Sequence, residues 1–227
     1  MIAENVKTVL AEIHDTALRS GRDPSEITLV AVTKIRTADE IEQAIQAGIT
    51  HLGENRVQEA NSKIPSVKSD AVWHLVGHLQ SNKVKKAAML FNWIDSVDSE
   101  KIADLLSLQA VESEKTLDVL IQVGISDESS KSGVSPDEPK KLVLYTENKK
   151  GLTVRGLMTI GSFGVSKDVT RNEFARMKAL FEDLQTDSEV RSRLDVLSMG
   201  MSDDYLIAIE EGSTMVRIGT AIFGQRS

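Results

Sequence analysis

The chain has 227 residues, of which 41% are hydrophobic and 27% are charged, so it is long enough for one sizeable domain and short for two. Its net charge of −7 argues against binding to nucleic acid or to an anionic membrane, because both usually require a basic patch. The absence of cysteine excludes disulfides, thiolate zinc sites and cysteine nucleophiles.

Helix-like and strand-like segments alternate along the chain. Apolar residues at helical spacing predict an N-terminal helix over residues 2–19, which is followed by a turn at Asp23-Pro24. The predicted strands are 27–33, 50–53, 72–77, 93–97, 116–123, 154–160, 194–198 and 215–218. The predicted helices after the first are 38–47, 56–63, 83–88, 99–111, 137–148, 171–184 and 204–210.

Residues at the predicted helix ends support these boundaries. Thr37 and Glu40 have the spacing of a capping box at the start of helix 38–47, and Thr170 is the predicted cap of helix 171–184. Gly48 follows helix 38–47, in the position where glycine commonly ends a helix.

Eight strands interleaved with helices indicate an α/β fold with a parallel sheet. An open doubly wound sheet usually has a glycine-rich turn after its first strand, and this chain has Thr33-Lys34-Ile35-Arg36 there instead. The strand number and the chain length favour a single (β/α)8 TIM barrel. We therefore predict one barrel domain over residues 1–227, with residues 1–21 as an extra N-terminal helix packed on it.

Lys34 is the first candidate functional residue, since it closes the apolar first strand. A partly desolvated site favours the neutral amine, which is the form that attacks carbonyls and forms Schiff bases. The alternative is a lysine whose aliphatic stem lies on the barrel while its ammonium reaches solvent, which is also common.

Two glycine-bearing turns follow the seventh and eighth strands, where barrel enzymes frequently bind phosphate. The first contains Ser198 and Gly200, and the second contains Arg217, Gly219 and Thr220. Small residues allow backbone amides to approach an anion, and arginine offers a cation that can pair with its oxygens. The alternative is that these glycines only form turns. A reactive lysine together with a phosphate site points to a phosphorylated aldehyde, for which pyridoxal 5'-phosphate (PLP) is the obvious candidate.

Asn55 and His78 follow the second and third strands. Asn55 is placed to hydrogen-bond a ring hydroxyl beside Lys34, and His78 to border a flat ligand; either side chain is equally suited to capping the next helix. The histidine spacing does not match a metal-binding helix, so no metal site is predicted.

Motifs follow one another in a fixed order in residues 31–34, 53–59, 73–74 with 77–83, 198–204 and 216–224. Together these segments resemble the YggS/PROSC family of pyridoxal phosphate homeostasis proteins. The resemblance implies a barrel like the N-terminal domain of bacterial alanine racemase, with Lys34 as the lysine of the internal aldimine. It also implies that Asn55 contacts the cofactor and that Lys131, in the loop 125–133, is a secondary aldimine or transfer site. One departure is Ile35-Arg36, where many relatives carry a Thr/Lys-Lys-like pair.

The resemblance favours a protein that holds PLP for homeostasis or delivery to apo PLP-dependent enzymes, with no catalytic residue of its own. Two enzymes remain as alternatives: a PLP-dependent amino acid racemase and a Schiff-base phosphosugar aldolase. A racemase needs proton donors on both faces of the cofactor, and neither Tyr145 nor Tyr205 is convincingly placed for that role. We expect a cytoplasmic monomer that binds neither nucleic acid nor a membrane.

Overall fold

The computed structural model describes residues 1–126 and 132–225, and these form a closed barrel of eight parallel strands. Each strand pairs with the next, and the eighth pairs with the first through the register Val30↔Arg217. The strands are β1 (Thr28–Val32), β2 (His51–Glu54), β3 (Val72–Leu75), β4 (Trp93–Val97), β5 (Leu117–Val123), β6 (Leu152–Thr159), β7 (Val196–Ser198) and β8 (Met215–Ile218). The predicted TIM barrel is confirmed.

One helix precedes the first strand, the others follow the strands, and together they surround the barrel. They are α1 (Ile2–Arg19), α2 (Ala38–Gln46), α3 (Val57–Lys63), α4 (Val84–Leu90), α5 (Glu100–Glu112), α6 (Pro139–Thr146), α7 (Lys167–Thr186), α8 (Tyr205–Glu210) and α9 (Thr220–Phe223). The predicted N-terminal helix has the observed bounds of α1, which packs on α2, α8 and α9. Among the described residues, no helix is both long and apolar enough to span a bilayer.

The strands have two differently packed faces because successive side chains alternate in direction. Leu29 and Ala31 belong to the large core between barrel and helices, whereas Val30 belongs to a smaller cluster inside the barrel. The interior cluster consists of Val30, Val76, Trp93, Leu120, Met158, Val196 and Met215. Val32, two residues after Val30, packs against this interior cluster, and Lys34 lies in the turn beyond the end of β1.

Two predicted helix starts have different outcomes. The capping box of Thr37 and Glu40 is present at the start of α2. The prediction that Thr170 caps the seventh helix is wrong, because α7 begins one turn earlier with Ser166 as its cap. The Ser166 hydroxyl accepts a hydrogen bond from the Val169 amide, and the Thr170 hydroxyl donates to the Ser166 carbonyl from within the helix. The short α9 was not predicted, since four residues show no helical period.

Candidate functional site

A cavity of about 460 Å³ lies at the carboxyl ends of the strands. It brings together five of the predicted site residues: Lys34, Asn55, Arg217, Gly219 and Thr220. They come from the ends of β1, β2 and β8, which are neighbours in the closed barrel. Closure of the sheet is therefore what places the candidate lysine next to the candidate phosphate turn.

Lys34 lies in a turn two residues beyond the end of β1 and is half-buried. Its neighbour Ile35 has a φ of 64°, in the left-handed region that β-branched residues rarely adopt. Ile35 is 66% exposed, so packing of its side chain does not account for the conformation. The backbone around Lys34 is consequently strained and needs other contacts to hold it.

A buried polar cluster under this turn supplies such contacts. Lys63, at the end of α3, donates 2.7 Å hydrogen bonds to the Thr33 carbonyl, to Glu54 Oε1 and to Glu59 Oε1. Glu54 Oε1 also accepts a 2.5 Å bond from the Thr33 hydroxyl, and Glu59 Oε1 accepts one of 2.5 Å from the Ile35 amide. Burial raises the pKa of Glu54, against the opposing effect of Lys63. Sequence reasoning missed this cluster; the i,i+4 pair of Glu59 and Lys63 was the available signal.

Arg217 forms the floor of the cavity and is only 4% exposed. Its Nη1 donates a 2.5 Å hydrogen bond to Ser198 Oγ, and its Nη2 donates a 2.7 Å bond to the Thr159 carbonyl. Burial lowers the pKa of the guanidinium, while Asp95 and Asp204 act in the opposite direction. A buried cation with acceptors on two of its nitrogens is held firmly in place.

The turn after β8, which is the candidate phosphate turn, is organised around a residue that the sequence reasoning did not single out. The amides of Gly219 and Ala221 each donate a 3.3 Å hydrogen bond to Ser202 Oγ, which lies on the cavity wall. Two amides thus already converge on one oxygen. The carboxylate of Asp204 is engaged elsewhere, since its Oδ1 accepts a 2.5 Å bond from the Met201 amide. Burial raises the pKa of Asp204.

Ser198 and Gly200 were predicted to line the phosphate site, and neither is among the residues that line this cavity. Ser198 is fully buried beneath it and binds Arg217. Gly200 has a φ of +95°, and an added Cβ would lie 2.5 Å from the Ala208 Cβ. These two residues therefore bear on the site through packing and through Arg217.

Asn55 occupies the wall near Lys34 and carries an unpartnered polar atom. Its Oδ1 is buried and has no hydrogen-bond partner. Its backbone is approached closely by Gly77, since a Cβ on Gly77 would lie 2.2 Å from the Asn55 carbonyl oxygen. A buried amide oxygen without a partner is costly.

His78 lies outside the first cavity and lines a second one of about 790 Å³, which also has Lys34 and Asn55 on its wall. Its Nδ1 is 3.1 Å from Asp98 Oδ2, and its side chain is 50% exposed. His78 therefore shares with Lys34 a cavity that the turn after β8 does not line. The predicted transfer residue Lys131 lies outside the described residues.

The remaining wall comes from the connection between β6 and α7, which sequence reasoning did not assign to the site. The connection contributes Ile160, Ser162, Phe163, Gly164 and Val165 to the cavity wall, and the first turn of α7 contributes Lys167 and Thr170. Glu173 holds this connection, because its carboxylate accepts bonds from the Ser162 amide at 2.9 Å and the Ser162 hydroxyl at 2.6 Å. The wall is thus anchored to α7.

A chain of polar side chains runs through the barrel interior. His51 Nδ1 lies 2.9 Å from His74 Nε2, and His74 Nδ1 lies 3.0 Å from Asp95 Oδ1. His74 also stacks on Trp93, with ring centroids 5.1 Å apart. Burial, with a smaller contribution from His74, lowers the pKa of His51 to about 4. Within the two described ranges, no group of three or more metal-ligating side chains is arranged to hold a metal ion.

A family model, curated relatives and a solved structure all indicate the same family. Residues 16–227 match the family model of the alanine racemase N-terminal domain. The pyridoxal phosphate homeostasis proteins of Pasteurella multocida and Escherichia coli K12 are 42% and 44% identical, and each alignment covers 99% of this chain and 97% of the relative. PipY of Synechococcus elongatus, solved with PLP bound, is similar at a TM-score of 0.85 and 36% identity, over 99% of this chain and 100% of PipY.

Proposed function

The chain belongs to the family of pyridoxal phosphate homeostasis proteins with the alanine racemase N-terminal fold, and from that premise we propose that it holds PLP on Lys34 and delivers it to other proteins. The observation that carries the proposal is the meeting of Lys34, the unpartnered Asn55 Oδ1 and the buried Arg217 around one cavity. A primary amine, an uncommitted amide and a buried cation suit a phosphorylated aromatic aldehyde.

Bound PLP would supply an aldehyde that condenses reversibly with a primary amine and releases water. Lys34 provides that amine from the turn after β1. In this proposal the phosphate replaces Ser202 Oγ as the acceptor of the Gly219 and Ala221 amides, and the hydroxyls of Ser202 and Thr220 donate to it. Backbone N–H groups and hydroxyls are the usual ligands of phosphate.

Two further residues orient the ring in this proposal. Asn55 reaches the ring hydroxyl from the wall beside Lys34, and its amide gains the partner that the cavity otherwise lacks. Arg217 supplies positive charge from the floor of the cavity, fixed by Ser198 and the Thr159 carbonyl. A preorganised cation loses little freedom when an anionic ligand binds.

The described site favours a carrier over an amino acid racemase. Racemisation needs an acid–base group on each face of the cofactor. The two tyrosines of the chain lie off the cavity: the Tyr145 hydroxyl donates to Asp104, and the Tyr205 hydroxyl donates to Glu12 of α1. Burial also raises the pKa of Tyr205, which keeps its phenol protonated. The position of Lys34 after the first strand argues against the aldolase, whose lysine usually lies late in the barrel.

The same proposal extends to how the protein works. We place the activity in a cytoplasmic monomer whose single barrel spans residues 1–227. Apo PLP-dependent enzymes are the recipients, since the two cavities beside Lys34 leave room for an incoming amine to reach it. His78, which was predicted to border the flat ligand, lies on the wall of the second of these cavities.

The test is an absorbance spectrum of the purified protein with PLP, before and after borohydride reduction. Wild type should show the Schiff-base band, and reduction followed by peptide mapping should place the cofactor on Lys34. Lys34→Ala should lose both, whereas Lys178→Ala, which removes a lysine paired with Glu182 on α7, should retain both. A wild-type protein that cannot be reconstituted with PLP would overturn the proposal and favour the phosphosugar aldolase.

A further inference from the structure

We propose that Glu54, Lys63 and Glu59 form a clamp that sets the position of Lys34 Nζ for bond formation, with Lys63 as the central positioning residue. The inference rests on the proposed function, because it assigns these three residues a part in the reaction of Lys34 with PLP. None of the three needs to touch the cofactor. They act through the backbone on both sides of Lys34.

The clamp holds the residue before Lys34 at two atoms. The Thr33 carbonyl accepts a 2.7 Å hydrogen bond from Lys63 Nζ, and the Thr33 hydroxyl donates a 2.5 Å bond to Glu54 Oε1. Glu54 and Thr33 are fully buried. Water therefore does not compete for these bonds, and the end of β1 has one arrangement in which all of them form.

The clamp also holds the residue after Lys34. The Ile35 amide donates a 2.5 Å bond to Glu59 Oε1, which is itself bound at 2.7 Å by Lys63. One ammonium thus joins the contacts on the two sides of Lys34. Since Ile35 has a φ of 64°, this turn relaxes to an ordinary conformation unless surrounding contacts determine it.

The charges of the clamp explain why Lys63 is its centre. Its side chain is 9% exposed, that of Glu54 is 0% exposed and that of Glu59 is 25% exposed. Two carboxylates at such positions require a cation between them, because an unpaired buried charge is strongly unfavourable. Removing the ammonium leaves the two carboxylates without the cation that joins them, and it leaves the Thr33 carbonyl without its donor.

A further cation holds the chain beyond the clamp. Arg36 Nη2 donates a 2.6 Å bond to the Gly224 carbonyl at the end of α9, whose first residue Thr220 lines the cavity. The clamp on Thr33 and Ile35 thus fixes the lysine turn relative to β2 and α3, and Arg36 fixes it relative to the phosphate turn. The backbone that carries Lys34 is thereby fixed at the cavity wall, which limits where Lys34 Nζ can lie and favours its reaction with an aldehyde held there.

The experiment separates positioning from general stability by comparing two ligands. PLP forms a Schiff base, whereas pyridoxine 5'-phosphate carries the same phosphate and ring but no aldehyde. In Lys63→Met we expect the affinity for PLP to fall by about tenfold, since a displaced reacting group costs at least that much, while the affinity for pyridoxine 5'-phosphate stays unchanged. In Glu59→Ala, which removes a less buried side chain, the affinity for PLP should also fall while that for pyridoxine 5'-phosphate stays unchanged. Glu59→Gln should bind PLP as wild type does, because the amide oxygen still accepts from Ile35.

The matched control is Arg155→Met, which removes a cation that donates to Asp195 beside the β6–β7 pair, away from the residues lining the cavity. It should leave the ratio of the two affinities unchanged. If the ratio of the two affinities is unchanged in both Lys63→Met and Glu59→Ala, the clamp is overturned. This holds whether both affinities stay as in wild type or fall by the same factor.

A cofactor-free measurement distinguishes failure of the clamp from failure of the proposed function. Acetic anhydride labelling followed by mass spectrometry reports the reactivity of Lys34 in the protein without PLP. Release of the turn in Lys63→Met and Glu59→Ala should raise the labelling rate of Lys34 relative to the other lysines, and Arg155→Met should not. If the wild type binds no PLP, this rate still tests the clamp, and equal rates in all proteins would refute it.

Discussion

Ser198 supports the candidate site from beneath by accepting a 2.5 Å hydrogen bond from Arg217 Nη1. Both side chains are buried, and only Arg217 lines the cavity. The serine that the sequence suggested for phosphate binding therefore bears on the site through the guanidinium that it holds.

Ser198→Ala should destabilise the protein and weaken PLP binding together. Removing the acceptor of a buried charged donor is expected to cost about 1.5–3 kcal/mol, since hydrogen bonds to charged groups are among the strong ones. Urea unfolding measures the first effect, and a PLP titration measures the second. Ser113→Ala, at an exposed hydroxyl that donates to the Gln109 carbonyl, should change the free energy of unfolding by less than about 0.5 kcal/mol. Equal effects of the two substitutions would contradict the role of Ser198.

Gly77→Ala should disrupt the wall that carries Asn55. An added Cβ would lie 2.2 Å from the Asn55 carbonyl oxygen, so one of the two backbones must move. We expect a loss of about 1–3 kcal/mol in the free energy of unfolding, as for other overpacked sites, with weaker PLP binding. Gly124→Ala is the matched control, because its Cβ would meet its nearest atom at an ordinary 3.6 Å. The prediction fails if both variants bind PLP as wild type does.

Ile35→Asn should stabilise the folded protein. Asparagine adopts the left-handed conformation more readily than a β-branched residue, and the exposed Ile35 side chain loses little burial. Relief of the strain is expected to raise the free energy of unfolding by about 1 kcal/mol. Glu114 is the other non-glycine residue with positive φ in the described part of the chain. Because glutamate is not β-branched, Glu114→Asn should give a smaller gain in the same urea titration. A loss at both positions would contradict the argument.

His51 should make stability depend on pH in acid. Burial lowers the pKa of His51 from 6.5 to about 4 in the folded state, so between these values the unfolded chain binds a proton that the folded protein does not. The free energy of unfolding should then decrease as pH falls from about 6.5 to 4. His51→Asn should flatten this part of the profile. His14→Asn, on the exposed surface of α1, should leave it unchanged, and an identical profile for wild type and His51→Asn would refute the assignment.

The fold was largely predictable because its signals are local. Alternating apolar strands and helices of ordinary length, separated by caps and glycine stops, indicate a βα repeat without knowledge of tertiary contacts. The largest error came at α7, where Ser166 and Thr170 are both good caps and only the structure shows that Ser166 is used. Thr170 is not the cap, but it still belongs to the candidate site because it lines the cavity.

The candidate site was predictable where its residues follow strands directly. Arg217 lies in β8, Asn55 directly follows β2, and Lys34 lies two residues beyond β1. The carboxyl ends of the strands meet at one mouth of a parallel barrel, so their positions along the chain are enough to predict that they lie close together. Residues that serve the site from connections and helices are not marked in this way. Ser202 and Ser162 belong to this second group.

The sequence by itself determined that this chain forms a βα barrel and which strand ends carry an amine, an amide and a guanidinium. Only the tertiary structure decided that Lys63 joins Glu54 to Glu59 beneath the turn of Lys34, and that Ser198 lies under Arg217. The physical reason is that strand direction is a local property of the backbone. Contacts between separate elements exist only after the barrel has closed and buried their polar groups together.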